Sequence, residues 1–292
     1  MTNREVLEAA RHDRPVRRRR TRASEDAALD AFFALATVAP VRILMADYDG
    51  TLAPFRGATE RVPPYPGVTE ALQGLVDRGT TRLVIISGRP IRDLEARLPW
   101  LRPRPELWGS HGLERLTADG RLVAPPVPLA LAELLDALEA WMAERGWSDL
   151  FERKPYGFAL HERRDPNRFA EVQAAVLAHW SKTSQMRGLE RIPFDGGIEF
   201  RPSRVDKGEV VRTILAEAGN EAAVAYLGDD ATDEDAFEAL DGRGLTVLVR
   251  PRRRPTRAEV WLRPPEDLID FLCRWGRSEG AGKAPARAGK GR

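Results

Sequence analysis

The sequence is poor in several features that would each point to a class of protein. It has one cysteine in 292 residues, Cys273, so no intrachain disulfide can form and a reducing compartment fits. No apolar run is long enough to span a bilayer. The best, Ala31–Ala46, is broken by Pro40 and Arg42 and falls short of the roughly 20 residues a membrane helix needs. Cleavage after such a segment would leave almost nothing ahead of Asp47, so the chain reads as soluble and cytoplasmic. The Gly-x-Gly-x-x-Gly dinucleotide turn, the Gly-x4-Gly-Lys-Ser/Thr phosphate loop and a strong Ser-His-Asp set are all missing. So is the Asp-x-Asp-x-Asp-Gly spacing of a calcium loop.

What is present is a well-stocked apolar core and an uneven charge. The chain is 42% apolar and 31% charged, with a formal net charge of +2. Residues 14–22 hold six Arg and no acid, and residues 277–292 hold five Lys or Arg and one Glu. Without those segments the charge is 2 − 6 − 4 = −8, so the body is acidic and only the ends are basic. Neither end interleaves aromatics for base stacking. They read as solvated tails, disordered over 1–23 and 277–292, rather than as nucleic-acid arms.

Between the tails, short apolar runs alternate with amphipathic stretches. The run Val41–Ala46, then Arg82–Ile86, a short strand near Leu107-Trp108, Ala223–Leu227 and Leu245–Val249 read as buried parallel strands. Helical patterns lie between them: one from Ser24, one after Pro66-Gly67, one through Leu94 and Leu98, one from Lys207, then Glu234–Leu240 and Pro265–Trp275. Residues 125–200 break this rhythm with two pairs of short strands, near 149–153 and 157–161 and near 189–193 and 197–200. Helices over about 129–145 and 166–180 accompany them. The fold class predicted is α/β: a doubly wound parallel-sheet core built from 24–124 and 201–276, interrupted by an inserted α+β cap at 125–200.

The candidate chemistry lies at strand ends. Asp47 and Asp49 follow the first strand, Ser87 and Arg89 the second, Ser110 and His111 the third, and Asp229 and Asp230 the fourth. In a parallel sheet the carboxyl ends share one edge, where ligands bind. Two carboxylates two residues apart repel each other, a conflict that a divalent cation removes. Carboxylates, a hydroxyl, one lysine (Lys207) and a metal suit phosphoryl transfer, in which positioning and charge neutralisation supply most of the rate.

These residues resemble a known family. Asp-x-Asp-Gly-Thr at 47–51, Ser87, Lys207 before a helix and Gly-Asp-Asp at 228–230 match, in order, the four motifs of the haloacid-dehalogenase (HAD) phosphohydrolases. An insert between the second and third motifs resembles the C2-type cap. Asp-Tyr-Asp-Gly-Thr-Leu-Ala-Pro from residue 47, Gly109-Ser110-His111-Gly112 and the run Leu227–Phe237 further resemble the trehalose-6-phosphate phosphatases. So do the insert segments around Glu152-x-Lys154, His161-x-Arg163 and Glu199-x-Arg201-Pro202. The resemblance implies Asp47 as nucleophile, forming an aspartyl-phosphate, and Asp49 as the group that handles protons. It implies Mg²⁺ on Asp47, the Asp49 backbone carbonyl and Asp229, supported by Asp230 and Asp233. Ser87, Gly88, Arg89 and Lys207 would hold phosphate, and Glu152, Lys154, Arg163 and Glu199 would bond sugar hydroxyls. His111 reads either as a substrate contact or as a loop histidine satisfied by backbone. Trp100, Trp141, Trp147 and Trp180 read as packing residues, and Glu234 and Asp235 as acids serving a helix N-terminus.

The expectation is a Mg²⁺-dependent phosphatase acting on trehalose 6-phosphate in trehalose biosynthesis. It would be a monomer, with a trehalose-phosphate synthase as pathway partner. The alternatives are the same chemistry on a glucosylglycerol, sucrose or mannosylglycerate phosphate, a nucleic-acid-associated protein using the Arg-rich ends, and a catalytically silent subunit of a sugar synthase. Two features depart from the family pattern. Lys154 is followed by Pro155-Tyr156-Gly157 rather than directly by glycine, and the basic stretch Arg250–Arg257 has no assigned role.

Overall fold

The structure, a computed structural model, describes residues 21–278 apart from 56–61, 163–164, 182, 184–185, 187, 195 and 204. Arg163 and nearly all of both basic tails therefore lie outside the described residues. In chain order the first strands are β1 (Val41–Ala46), β2 (Arg82–Ile86), β3 (Glu106–Gly109), β4 (Glu114–Leu116) and β5 (Leu122–Val123). Then come β6 (Phe151–Lys154), β7 (Gly157–His161), β8 (Leu189–Phe194) and β9 (Gly197–Pro202). The chain closes with β10 (Ala222–Gly228), β11 (Leu245–Val249) and β12 (Val260–Leu262).

Two sheets result. The larger has the order β12-β11-β10-β1-β2-β3-β4-β5, parallel from β12 to β3 and antiparallel at the β4–β5 edge. The chain winds outward from β1 through β2 and β3, then returns to β10 on the other flank and winds outward again. The order thus reverses between β1 and β10, and the crevice at such a switch point is where open α/β sheets bind ligands.

Alternation along β1 shows why this sheet is covered on both faces. Leu44 and Ala46 pack with Phe33, Leu72, Phe271 and Trp275 from helices Arg22–Val38, Val68–Arg78 and Glu266–Ser278. Ile43 and Met45 pack on the opposite face with Val211, Ile214 and Phe237 from helices Lys207–Ala218 and Glu234–Leu240. All four β1 side chains are fully buried, each a contribution of roughly 1.5–3 kcal/mol for the larger ones.

The smaller sheet has the order β6-β7-β9-β8 and is antiparallel throughout. One face carries Phe158, Leu160, Ile198 and Phe200, packed under helices Leu129–Glu144 and Pro166–Trp180 through Leu135, Leu138, Phe169 and Val172. The other face carries Glu152, Ala159 and Glu199, which the strand register sets side by side. The α/β class with a parallel sheet agrees with the expectation.

Some local features differ from the sequence reading. The first helix starts at Arg22 rather than Ser24, because Thr21 caps it by accepting from Ser24 N, and Arg22 pairs with Asp26 one turn on. The β4–β5 hairpin and β12 had no sequence signal: they span two or three residues each, too short for alternation to register. Among the described residues no helix is long and apolar enough to cross a membrane, and Cys273 is exposed.

Candidate active site

β1 and β10 deliver their acids to one point. Asp47 donates its backbone N–H to Leu227 O at 2.9 Å, continuing the ladder one step past β1. Its carboxylate accepts from Lys207 Nζ at 2.8 Å, and the same ammonium donates to Asp233 Oδ1 at 2.7 Å. Lys207 is the opening residue of its helix, which Asp206 caps by accepting from Glu209 N. The helix start therefore aims the ammonium under the two acids.

Asp233 is saturated: Oδ1 also accepts from Tyr226 OH at 2.7 Å, and Oδ2 accepts the backbone N–H groups of Asp229 and Asp230, both at 2.9 Å. It shapes the loop and has little capacity left for a ligand. Asp229 is less engaged, accepting from Thr51 Oγ1 at 3.2 Å. Gly50 explains how it fits: φ is +93°, and a Cβ there would lie 2.1 Å from Asp229 Oδ2. No side chain is compatible with that approach.

The carboxylates of Asp47, Asp229 and Asp233 converge closely enough to hold a metal ion. Burial, against the pull of Lys207, pushes the Asp47 carboxyl up to about 7, and Asp233 and Asp49 add to the rise. Burial followed by repulsion from Asp47 and Asp233 drives Asp229 well above the usual carboxylate range. Burial would lower the Lys207 pKa, but Asp233 and Asp47 outweigh it and hold the ammonium charged. Three buried acids share one ammonium, and a hard, oxygen-seeking divalent cation fits the two under-engaged carboxylates.

Asp49 points into the same cleft, held by a two-point fork from Arg89, with Nε at 2.5 Å and Nη2 at 2.7 Å. Ser87 Oγ accepts from Arg89 N at 3.1 Å. The loops after β2 and β3 are laced together by His111 N to Ser87 O at 3.0 Å and Ser110 N to Arg89 O at 2.8 Å. That lacing supports two consecutive left-handed residues, Ser110 (φ 49°) and His111 (φ 58°), a conformation costing about 1–2 kcal/mol per non-glycine residue. The result is an imidazole laid against Gly88, where a Cβ would come within 2.6 Å of the ring.

His111 then reaches across to the smaller sheet. Its Nε2 lies 2.9 Å from Glu199 Oε2, while Lys154 Nζ meets Glu199 Oε1 at 2.9 Å. Its partner is thus a carboxylate rather than backbone. Burial lowers the His111 pKa to about 4 even against Glu199, so the neutral ring donates from Nε2. Burial would raise Glu199, but Lys154 and His111 outweigh it and keep it ionised. Glu152 accepts from His161 at 2.7 Å if Nε2 carries the proton.

One cleft is lined by nearly all of these groups: Asp47, Asp49, Ser87, Gly88, Arg89, His111, Glu152, Lys154, Glu199, Lys207, Asp229 and Asp230. Asp233 sits beneath it. Sequence reasoning gave no site role to His161, Phe55, Phe194 or Tyr226. Phe55 and Phe194 both line the cleft, and Phe194 stands edge-on to His161 at 5.6 Å. A large apolar side chain exposed at 44% in a charged cleft, as Phe55 is, was the available signal, and it needs the fold to be seen.

A family model described as trehalose-phosphatase matches residues 45–260, which include every motif of the cleft. The chain belongs to the trehalose-phosphatase family. A trehalose-phosphate phosphatase of Mycobacterium marinum is 31% identical over 242 residues, covering 78% of this chain and 60% of the relative. The chain thus spans about three-fifths of that relative's length. The C-terminal domain of a C. albicans trehalose-6-phosphate phosphatase aligns with a TM-score of 0.68 at 22% identity, covering 85% of this chain and 96% of that one. The C-terminal domain of a Candida albicans trehalose synthase regulatory protein aligns with a TM-score of 0.60 at 17% identity, covering 84% and 97%. Both likenesses show the fold alone. Since a phosphatase and a regulatory protein share it, the side chains at the strand ends must decide what this family member does.

Proposed function

We propose that this protein is a phosphatase that hydrolyses trehalose 6-phosphate to trehalose and orthophosphate, with Mg²⁺ as cofactor and Asp47 as nucleophile. The observation that carries the reading is the Asp47–Lys207 pair at 2.8 Å on the floor of a cleft, with a second carboxylate, Asp49, opening into the same space. A silent regulatory subunit has no use for that set.

In this reading an Asp47 oxygen attacks phosphorus in line with the sugar oxygen. The P–O bond to the sugar breaks, its electron pair leaves on that oxygen, and protonated Asp49 supplies the proton. Water then attacks phosphorus in the aspartyl-phosphate and gives its proton to Asp49, releasing orthophosphate and regenerating both carboxyls. Lys207, Ser87, the Gly88 backbone and Arg89 hold the phosphoryl oxygens. For Arg89 this means exchanging its fork on Asp49 for one on phosphate, which also frees Asp49 for proton transfer. Mg²⁺, held by the Asp47 and Asp229 carboxylates and the Asp49 carbonyl, would offset the charge of ester and acids alike.

Residues 125–200 serve as the cap and carry the specificity. Glu152, Lys154 and Glu199 offer charge-assisted hydrogen bonds to sugar hydroxyls. Phe55 and Phe194 offer apolar faces to a pyranose ring. Closure of the cap over the ester would exclude water from the reacting centre.

A panel of trehalose 6-phosphate with glucosylglycerol, sucrose and mannosylglycerate phosphates, assayed with and without Mg²⁺, tests the reading. Preferred, Mg²⁺-dependent release of phosphate from the trehalose ester supports it. Equal turnover of all four overturns the substrate.

A further inference from the structure

The stretch Arg250–Arg257, for which the sequence offered no role, is folded against the cation loop. Arg254 Nε donates to Asp229 O at 3.0 Å, and its Nη2 donates to Asp230 O at 2.6 Å. Arg250 Nη1 adds a bond to Asp229 O at 3.2 Å. Arg254 Nη2 is in turn anchored by Glu234 Oε1 at 2.7 Å. Glu234 also accepts from Thr256 Oγ1 and from the backbone of Arg257, both at 2.8 Å. Glu234 thus ties this loop down, in addition to lying in the first turn of its helix.

The rest of the basic stretch is spent internally as well. Arg253 pairs with the buried Glu25, and Arg257 lies 3.6 Å from Glu238. Arg252 is exposed, but a single exposed arginine is no docking patch for an acidic partner. The stretch faces inward.

The Asp229–Asp230 turn is therefore gripped from both sides. Asp233 takes both N–H groups from within, while Arg254 takes both carbonyls from without. Groups that orient a metal ligand without touching the metal are worth about 10–100-fold in affinity. Lysine replaces the guanidinium only in part here, because its compact ammonium lacks the planar, pre-organised fork that meets both carbonyls and Glu234 at once.

We infer that Arg254, supported by Arg250 and anchored by Glu234, is a positioning residue that holds the Asp229 carboxylate in place for the divalent cation. The inference rests on the Mg²⁺ reading above.

The test is calorimetric titration of Mg²⁺ into the full chain, with steady-state kinetics on the same samples. Arg254→Met is expected to raise the Mg²⁺ dissociation constant about tenfold. Turnover should recover to within about twofold of the wild type at saturating Mg²⁺. Arg254→Lys is expected to recover only part of the affinity, and Glu234→Gln to weaken it in the same direction. Arg253→Met, next door but bonded to Glu25, should lower Tm and leave Mg²⁺ affinity alone. If Arg254→Met fails to fold, Arg254→Lys and Glu234→Gln decide. Unchanged Mg²⁺ affinity in the Arg254 and Glu234 variants, or an equal loss in Arg253→Met, overturns the clamp while leaving the cation reading intact. Absence of Mg²⁺ binding by the wild-type protein overturns the cation reading and the clamp with it.

Discussion

The two walls of the cleft carry charge in opposite ways. On the core-sheet side three buried acids, Asp47, Asp229 and Asp233, share one ammonium, and burial first, then repulsion among the acids, raises the pKa values of Asp47 and Asp229. On the smaller-sheet side every acid has its own partner: Glu152 has His161, and Glu199 has both Lys154 and His111. The first wall is unbalanced and gains from an incoming cation and phosphate. The second is already satisfied, so under the proposed function a sugar hydroxyl would replace a bond that exists. In that reading one wall reacts and the other chooses.

The largest effect comes from breaking the unbalanced wall. Asp47→Asn should abolish phosphate release, by at least about 10⁴-fold, as loss of a nucleophile does. A malachite-green assay at saturating substrate reads it, and retention of a tenth of the activity would make Asp47 the wrong nucleophile. Next is Lys207→Met. It leaves Asp47 and Asp233 buried without their cation, and breaking such a pair costs about 3–5 kcal/mol. Urea denaturation should show the loss, with Mg²⁺ restoring part of it by relieving the same repulsion.

The satisfied wall should respond to pH through His111. Its folded pKa, about 4, lies below its ordinary 6.5, so the unfolded chain binds a proton that the folded one refuses. Its contribution is full above about pH 6.5, declines as pH falls through the window from 6.5 to 4, and is levelled below. The loss is on the order of 2 kcal/mol at pH 4.5. Glu199, held below its usual 4.5, adds a further loss only in more acidic solution. His111→Gln should flatten the first part of the profile in urea melts at pH 7 and 4.5, and an unchanged slope would count against a buried neutral ring.

The smallest effect sharpens the contrast. Phe194→Ala should raise KM for trehalose 6-phosphate about tenfold, the worth of one aromatic contact of roughly 1.4 kcal/mol. Hydrolysis of p-nitrophenyl phosphate should stay the same. Equal losses on both esters would make Phe194 a packing residue.

The unbalanced wall was readable from residues because each part sits at a strand or helix end. A short apolar run leads to Asp47, Ser87 and Asp229, so the strand pattern predicts their shared edge, while Lys207, an ordinary helix-start residue by itself, was picked out by its order in the family's motif series. Glu152 and Glu199 were reached only through the resemblance of their segments to the family's; by themselves they read as a solvated strand face. What escaped depends on contacts that no local pattern shows. Tyr226 reads as one more buried strand residue until its hydroxyl is seen on Asp233. Arg254 looks like surface charge until the turn at Asp229 comes to lie beneath it. Phe194 and Phe55 come from opposite walls, and nothing local pairs them. Glu234, read as a helix-dipole acid, does lie in the first turn of its helix, and its carboxylate also anchors the Arg-rich loop, which the sequence did not show.

The adjacency of β1 and β10 has a consequence in time. Thr51 and Asp229, bonded to each other, are 178 residues apart in sequence, and Lys207 and Asp47 are 160 apart. A ribosome delivers the chain from its amino end, and segments begin to fold as they emerge. Asp47 therefore leaves the tunnel, with Asp49 beside it, long before Lys207, Asp229 or Asp233. Lys207 follows, and Asp229 and Asp233 come last, behind the strand β10 that β1 needs as its partner. The ammonium is thus on hand before the sheet closes and brings the three acids together. A circular permutant opened between Lys207 and Asp229 would deliver all three acids before the lysine.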